Sequence, residues 1–224
     1  MTASTLERPK VQQTNEPQFL IALPVHLMHC VAQCVSTDPV KVSLNKISLY
    51  REDSVGSGEI TLAATDGHRL LRITLPAGST HIGELEPGQR LIIDPEAFKK
   101  RPLLNEKAVQ LFEDGTAEII NRSSREIRKV FWKTADTKFE FPNYDQLIPD
   151  NFHNKPEAPF AFNPAYLLDF LKLAKQYGCP LVVKWRMNAA AAPMVQTFVV
   201  DGKWLPLGGE VTVEHLFMPV QIRA

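Results

Sequence analysis

Residues 90–103 read RLIIDPEAFKKRPL. A short apolar run leads into a turn residue, a proline and the start of a helix. Proline in the first helical turn costs no hydrogen bond, because that N–H has no partner within the helix. Asp94, just before it, can accept from the exposed N–H groups. Pro102 stops the helix soon after Phe98. The same junction stands upstream in FLIALPVHLMHCVA (19–32) and downstream in FAFNPAYLLDFLKLAK (160–175). The prolines Pro24, Pro95 and Pro164 lie about 70 residues apart, the mark of a repeated supersecondary unit.

The three helix starts differ in strength. Asn163 is a good cap for the third, whereas Leu23 gives the first a weaker one. Gly178 stands where a helix-ending C′ residue is expected. In the first helix Leu27, Met28, Val31, Cys34 and Val35 make one apolar face, and in the third Tyr166, Leu167, Phe170, Leu171 and Ala174 do so.

Between the helices the chain reads as strands. KVSLNKISLYRE (41–52), EITLAATD (59–66), RLLRITLP (69–76), AVQLFED (108–114), TAEIINR (116–122) and REIRKVFWKT (125–134) alternate or are β-branched. Three more follow the last helix, in 180–187, 194–209 and 211–222. Turns fall at DSVGSG (53–58) and EDGT (113–116). The unit is strand, helix, several strands. The fold class expected is α+β, with antiparallel sheets and helices on one face. Residues 140–160, rich in Pro and Asn, are the expected linker.

The whole-chain numbers set limits. Of 224 residues, 44% are hydrophobic and 22% charged, ordinary values for a globular protein. Lys+Arg and Asp+Glu are equal at 25 each, which argues against a surface that grips nucleic acid everywhere but allows a local basic stripe. Cys30, Cys34 and Cys179 do not make a disulfide framework and fit a reducing compartment. The N-terminal residues are polar and no run reaches a membrane-spanning length, so a cytoplasmic location is expected, with residues 1–16 as a flexible tail.

The stretch TLAATDGHRLLRITLP (61–76) breaks a strand pair with Asp, His and Arg side by side. A catalytic reading fails for want of a nucleophile and a third orienting group. A plain turn needs only Asp66 bonded to backbone N–H groups and Gly67 at positive φ. His29, Cys30 and Cys34 share the first helix, but two thiols do not make a zinc site, and buried cysteines are ordinary core. Phe170 is read as core. No metal or cofactor is expected, and an enzyme acting on nucleic acid is the weakest reading.

At ATDGHRLL (64–71) the chain resembles the bacterial DNA polymerase III β sliding clamp family. FPNYDQLIP (141–149), FNPAYLLDFLKLAK (162–175) and the C-terminal HLFMPVQIRA (215–224) strengthen the resemblance, in the family's order. It implies a DNA-clamp fold and no enzymatic activity. The family has three domains of two units each. This chain has three units, so the resemblance implies a complete middle domain (17–150) followed by half of the last domain (151–224).

The resemblance further implies a groove that takes clamp-binding peptide motifs of polymerases and related proteins. Its walls would be Leu44, Thr65, Gly67, His68, Arg69 and Leu70 from the first unit, and Pro142 and Leu147 from the end of the second. Asn163 and Tyr166 would come from the third helix, and Leu216, Met218, Pro219, Val220 and Ile222 from the tail. Gln146 and Gln221 stand where many clamps carry a basic residue. Leu, Pro, Val and adaptable Met suit the apolar anchors of a Gln-x-x-Leu-x-Phe motif. By the same resemblance Lys99, Lys100, Arg101, Lys172 and Lys175 would face double-stranded DNA without reading its sequence. A solvated helix face explains these charges equally well. Two readings follow: a processivity factor, or a clamp-derived module that recruits or competes for clamp partners without encircling DNA. An odd number of units leaves open sheet edges, which self-association or contact with a full-length clamp would cover.

Overall fold

The structure, a computed structural model, describes residues 16–53, 58–103, 105–121, 127–133, 140–144, 163–178, 184–187, 194–200, 204–205 and 210–217. Each described unit runs strand or turn, helix, then three strands, as the repeated junction predicts. The first unit comprises β1 (Phe19–Pro24), α1 (Val25–Ala32), β2 (Ile47–Arg51), β3 (Ile60–Thr65) and β4 (Arg69–Leu75), with a short β5 (His81–Ile82) after it. The second comprises β6 (Arg90–Ile93), α2 (Glu96–Lys99), β7 (Glu106–Phe112), β8 (Thr116–Asn121) and β9 (Ile127–Phe131). The third shows α3 (Pro164–Tyr177), β10 (Lys184–Met187), β11 (Met194–Val200) and β12 (Val211–Phe217).

The strands form two antiparallel sheets, in the orders β5-β1-β7-β8-β9 and β10-β11-β12-β4-β3-β2-β6. The first two units exchange a strand. β1 leaves its own unit to pair with β7, and β6 leaves its unit to pair with β2. The third unit then extends the first unit's sheet. β12 lies antiparallel on β4, with Leu216 opposite Leu70 and Val213 opposite Ile73.

Period-two alternation sorts the side chains between two faces. Leu71, Ile73 and Leu75 of β4 point into the main core with Ile60, Leu62 and Val213, under α1 and α3. Leu70 points the other way, into a second cluster with Ala63, Val195, Leu216, Phe141 and Tyr144. All eight residues of α1 are buried.

Several local expectations need correction. Residues 41–46 are not strand: Val42–Leu44 form a 3-10 turn, and β2 starts at Ile47. The buried face of α3 is Phe170, Leu173, Ala174 and Tyr177, rotated from the expected one, and Leu171 is exposed. Leucines stand on several sides of this helix, so spacing alone did not choose among them; Tyr177 decides the face by packing on His26 and Trp204, each 5.4 Å away between ring centroids. Gly178 caps α3 through its N–H to Ala174 O (2.8 Å), but with an ordinary φ of −89°. Its glycine identity serves close approach, since a Cβ there would lie 2.5 Å from Phe198 Cδ2. The caps at Asp94 and Asn163 form, each Oδ1 accepting a backbone N–H two residues on at 3.0 Å. No described helix is long and apolar enough to cross a membrane.

Candidate functional site

The bend between β3 and β4 is built by its own side chains. Asp66 Oδ1 accepts from the N–H of His68 (2.9 Å) and of Arg69 (3.0 Å). Thr65 Oγ1 donates to Arg69 O (2.7 Å) and accepts from Gly67 N–H (3.1 Å). Gly67 has φ +91°, a conformation that favours glycine, and a Cβ there would meet Leu44 Cδ1 at 3.1 Å. The Asp66 carboxylate is thus committed to shaping a turn, and it also ion-pairs with Arg69 Nε at 3.0 Å.

The bend docks on α3. The His68 ring stacks on Tyr166, centroids 6.3 Å apart and 15° from parallel. The Arg69 guanidinium lies 5.2 Å from the centre of the same ring, a cation–π contact. It also donates to Asp169 Oδ2 (3.0 Å) and to Gln33 O (3.2 Å). Arg69 therefore faces the helices and ties the third unit to the first. Asp169 is a site residue that the sequence reading missed; its signal was an acid within one turn of Tyr166 on an otherwise apolar stretch of helix.

Leu70 and Leu216 meet on the opposite face as register partners, each almost fully buried. Phe141 and Tyr144 cover them, edge to face at 5.9 Å. These two aromatics were also missed, although they flank the predicted Pro142. Beside them opens a concavity of about 490 Å³ lined by Arg90, Ile92, Phe141, Pro142, Asn143 and Tyr144. Thus the structure brings Leu44, Thr65, Gly67, His68, Arg69, Asn163 and Tyr166 to one bend and helix start, and Leu70, Leu216 and Pro142 to one cluster on the outer face. Leu44, Pro142 and Tyr166 are half-buried and His68 is exposed. Leu147, Met218, Pro219, Val220 and Ile222, with Gln146 and Gln221, lie outside the described residues.

The basic residues sit on either side of α1. Lys99, Lys100 and Arg101 are exposed at the end of α2, and Lys172 and Lys175 on α3. Lys99 pairs with Glu96, and Lys172 lies 3.5 Å from Asp169. α1 between them presents no charge. Burial lowers the pKa of His26 from the ordinary 6.5 to about 4, and burial likewise lowers that of His29. Cys30 and Cys34 are free and buried, and burial pushes the Cys34 thiol up to about 12. Among the described residues no group of three or more His, Cys, Asp or Glu could hold a metal ion.

Repeated units that share strands, helices across one face and a sheet running on from one unit into another define the sliding-clamp class of fold. Solved structures place the chain there with specificity. The DNA polymerase sliding clamp of Bacillus subtilis matches 97% of this chain and 68% of its own, with TM-score 0.59 and 15% identity. The Helicobacter pylori β clamp in complex with diflunisal matches 93% of this chain and 68% of its own, with TM-score 0.64 and 14% identity. The H. pylori β clamp bound to a DNA ligase peptide matches 92% and 67%, with TM-score 0.62 and 14% identity. This chain therefore has the bacterial β sliding-clamp fold and spans about two thirds of the length of those clamps. No family model and no curated protein sequence matches it.

Proposed function

We propose that this protein is a non-enzymatic, sliding-clamp-like replication factor that holds short linear motifs of polymerases and related proteins. Residues 17–150 act as a clamp-like domain and 151–224 as a half domain. The observation carrying this is the β4–β12 pairing, which sets the 65–70 bend beside the end of the third unit. A similar fold has been captured with a DNA ligase peptide. The surface proposed for the motif is the bend, where His68 is exposed and Leu44 and Tyr166 are half-buried beside it; Pro142, Leu147, Met218, Pro219, Val220 and Ile222 belong to the groove only as the resemblance implies.

A fluorescent Gln-x-x-Leu-x-Phe peptide is expected to bind with micromolar Kd, about −8 kcal/mol. Removing residues 218–224 leaves β12 whole, so binding should vanish while the melting temperature holds. Unchanged affinity in that truncation would put the peptide site elsewhere.

A second reading, a module that binds partners without encircling DNA, is favoured by one feature. The central helix α1 is wholly buried and carries no Lys or Arg, and Lys+Arg equals Asp+Glu over the chain. On the helix side, among the described residues, phosphate neutralisation, which dominates non-specific DNA affinity, then falls to Lys99, Lys100, Arg101, Lys172 and Lys175. Retention on nicked circular DNA with release from linear duplex supports encirclement. Equal release from both supports the module.

A further inference from the structure

Between α1 and α3, on the helix side of the sheet, lies a cavity of about 220 Å³. His29 and Gln33 bound it from the end of α1, and Lys172 and Gln176 from α3, with Arg69 and Asp169 between them. Its floor is His215 of β12, only 1% exposed.

The floor carries a donor with nothing to bond. His215 Nδ1 accepts from Gln196 Nε2 at 2.9 Å, so the ring proton sits on Nε2, which is buried without a partner. A buried N–H in that state is costly and calls for an acceptor. Gln176 Nε2 makes no well-formed hydrogen bond either, although the Tyr177 hydroxyl is near it. Arg69 gives its Nε–H to Asp66, one N–H to Asp169 and one to Gln33 O. A guanidinium has five, so two have no partner among the described residues. Lys172 stands at the mouth, 65% exposed and 3.5 Å from Asp169 Oδ1. The lining thus holds two cations and one carboxylate, and burial keeps both its histidines neutral. Donors converge here under a net positive charge.

We propose that this cavity binds the terminal phosphate of a small molecule. Its oxygens accept from His215 Nε2, Gln176 Nε2 and Arg69, and Lys172 closes over it. The O–H of a singly charged phosphate goes to Asp169, which a fully ionised oxyanion would repel. Depth selects a terminal phosphate over a nucleic-acid backbone. A diester within a duplex cannot bring an oxygen down to a group 1% exposed, whereas the tip of a monoester can. Bound there, the phosphate braces α3 against α1 across the seam that Arg69 holds. The inference stands independently of peptide or DNA binding.

Isothermal titration at constant ionic strength, with chloride as the balancing anion, should show saturable one-to-one binding of inorganic phosphate and of glycerol phosphate. Lys172→Gln, at an exposed position, should weaken both about tenfold, the loss of one charged hydrogen bond. Lys175→Gln, exposed on the same helix but outside the cavity, should leave both unchanged. Nitrogen-15 NMR of the wild-type chain should show the His215 Nε2 resonance shifting as phosphate is added. Absence of saturable heat, or an unmoved His215 resonance, would overturn the proposal and leave the cavity to water. Equal losses in the two lysine variants would overturn it too. So would duplex DNA that displaces the phosphate, which would assign these cations to the DNA backbone.

Discussion

Between pH 6.5 and about pH 4.5 the protein is expected to lose on the order of 5 kcal/mol of stability, enough to unfold an ordinary domain. The cause is a set of buried histidines at the seams between units. His26 lies between Tyr177 and Trp204, at ring-centroid distances of 5.4 and 4.6 Å; neither ring nitrogen makes a well-formed hydrogen bond, although the Glu106 backbone is close enough to favour a proton. Its surroundings hold Lys107 and His29, which disfavour a proton, and Glu106, which favours one less than burial opposes it. His215 stacks on Phe170 at 4.9 Å, takes a hydrogen bond from Gln196 on Nδ1, and feels the charge of Arg69. Burial lowers its pKa from 6.5 to about 3. The unfolded chain binds these protons below about pH 6.5, while the folded chain refuses them until about pH 4 at His26 and pH 3 at His215. Stability is therefore full above the unfolded value and falls with pH across that window, by about 1.4 kcal/mol per pH unit for each histidine. Urea titrations at a series of pH values measure the slope. His26→Phe, which gives up no well-formed hydrogen bond, should flatten it by one proton; an unaltered slope would remove His26 from the account.

Arg69→Ala should cost about 2 kcal/mol, because it leaves the half-buried Asp66 carboxylate without its cation, removes the contact on the Tyr166 ring and leaves Asp169 with Lys172 alone. The side chain is only 12% exposed. Arg69→Lys should recover only part of the loss, since an ammonium cannot bridge Asp66, Asp169 and the Gln33 carbonyl together. Asp169→Asn should cost less, about 1 kcal/mol, as Asp169 is nearly half exposed and its pair is screened by water. Amide exchange locates the damage: protection should fall first in α3, with α1 and β3 little changed. Uniform loss across the molecule would mean that Arg69 supports the fold at large and not the seam.

How much of this was legible in the sequence varies with range. The proline-led junction gave the three helices, because a proline at the first turn and an Asx before it act locally. Strands followed where alternation was clean, as in 69–75 and 116–121. The 41–46 stretch misled because Val42 and Leu44 alternate like strand residues while turning over the bend at Gly67. The exchanged strands and the β4–β12 pairing were invisible, since nothing local to β1 says that it belongs beside β7. The candidate site divides the same way. Asp66 and Gly67 were readable as turn chemistry. Phe141 and Tyr144 were not, because a linker-like composition hid two aromatics whose role depends on a sheet face assembled from three distant segments.

The traded strands also govern how the chain acquires its structure. Because β1 rests on β7 and β6 on β2, a fragment stopping after β5 keeps β1 but lacks the surface it must lie on. Residues 19–131 must then condense as a single cooperative block, with ends joined across nearly ninety residues of sequence. Closing such long loops before any reward arrives slows the search. A ribosome emitting this protein must release β7 before β1 meets its long partner; until then only the two-residue β5 can lie beside it.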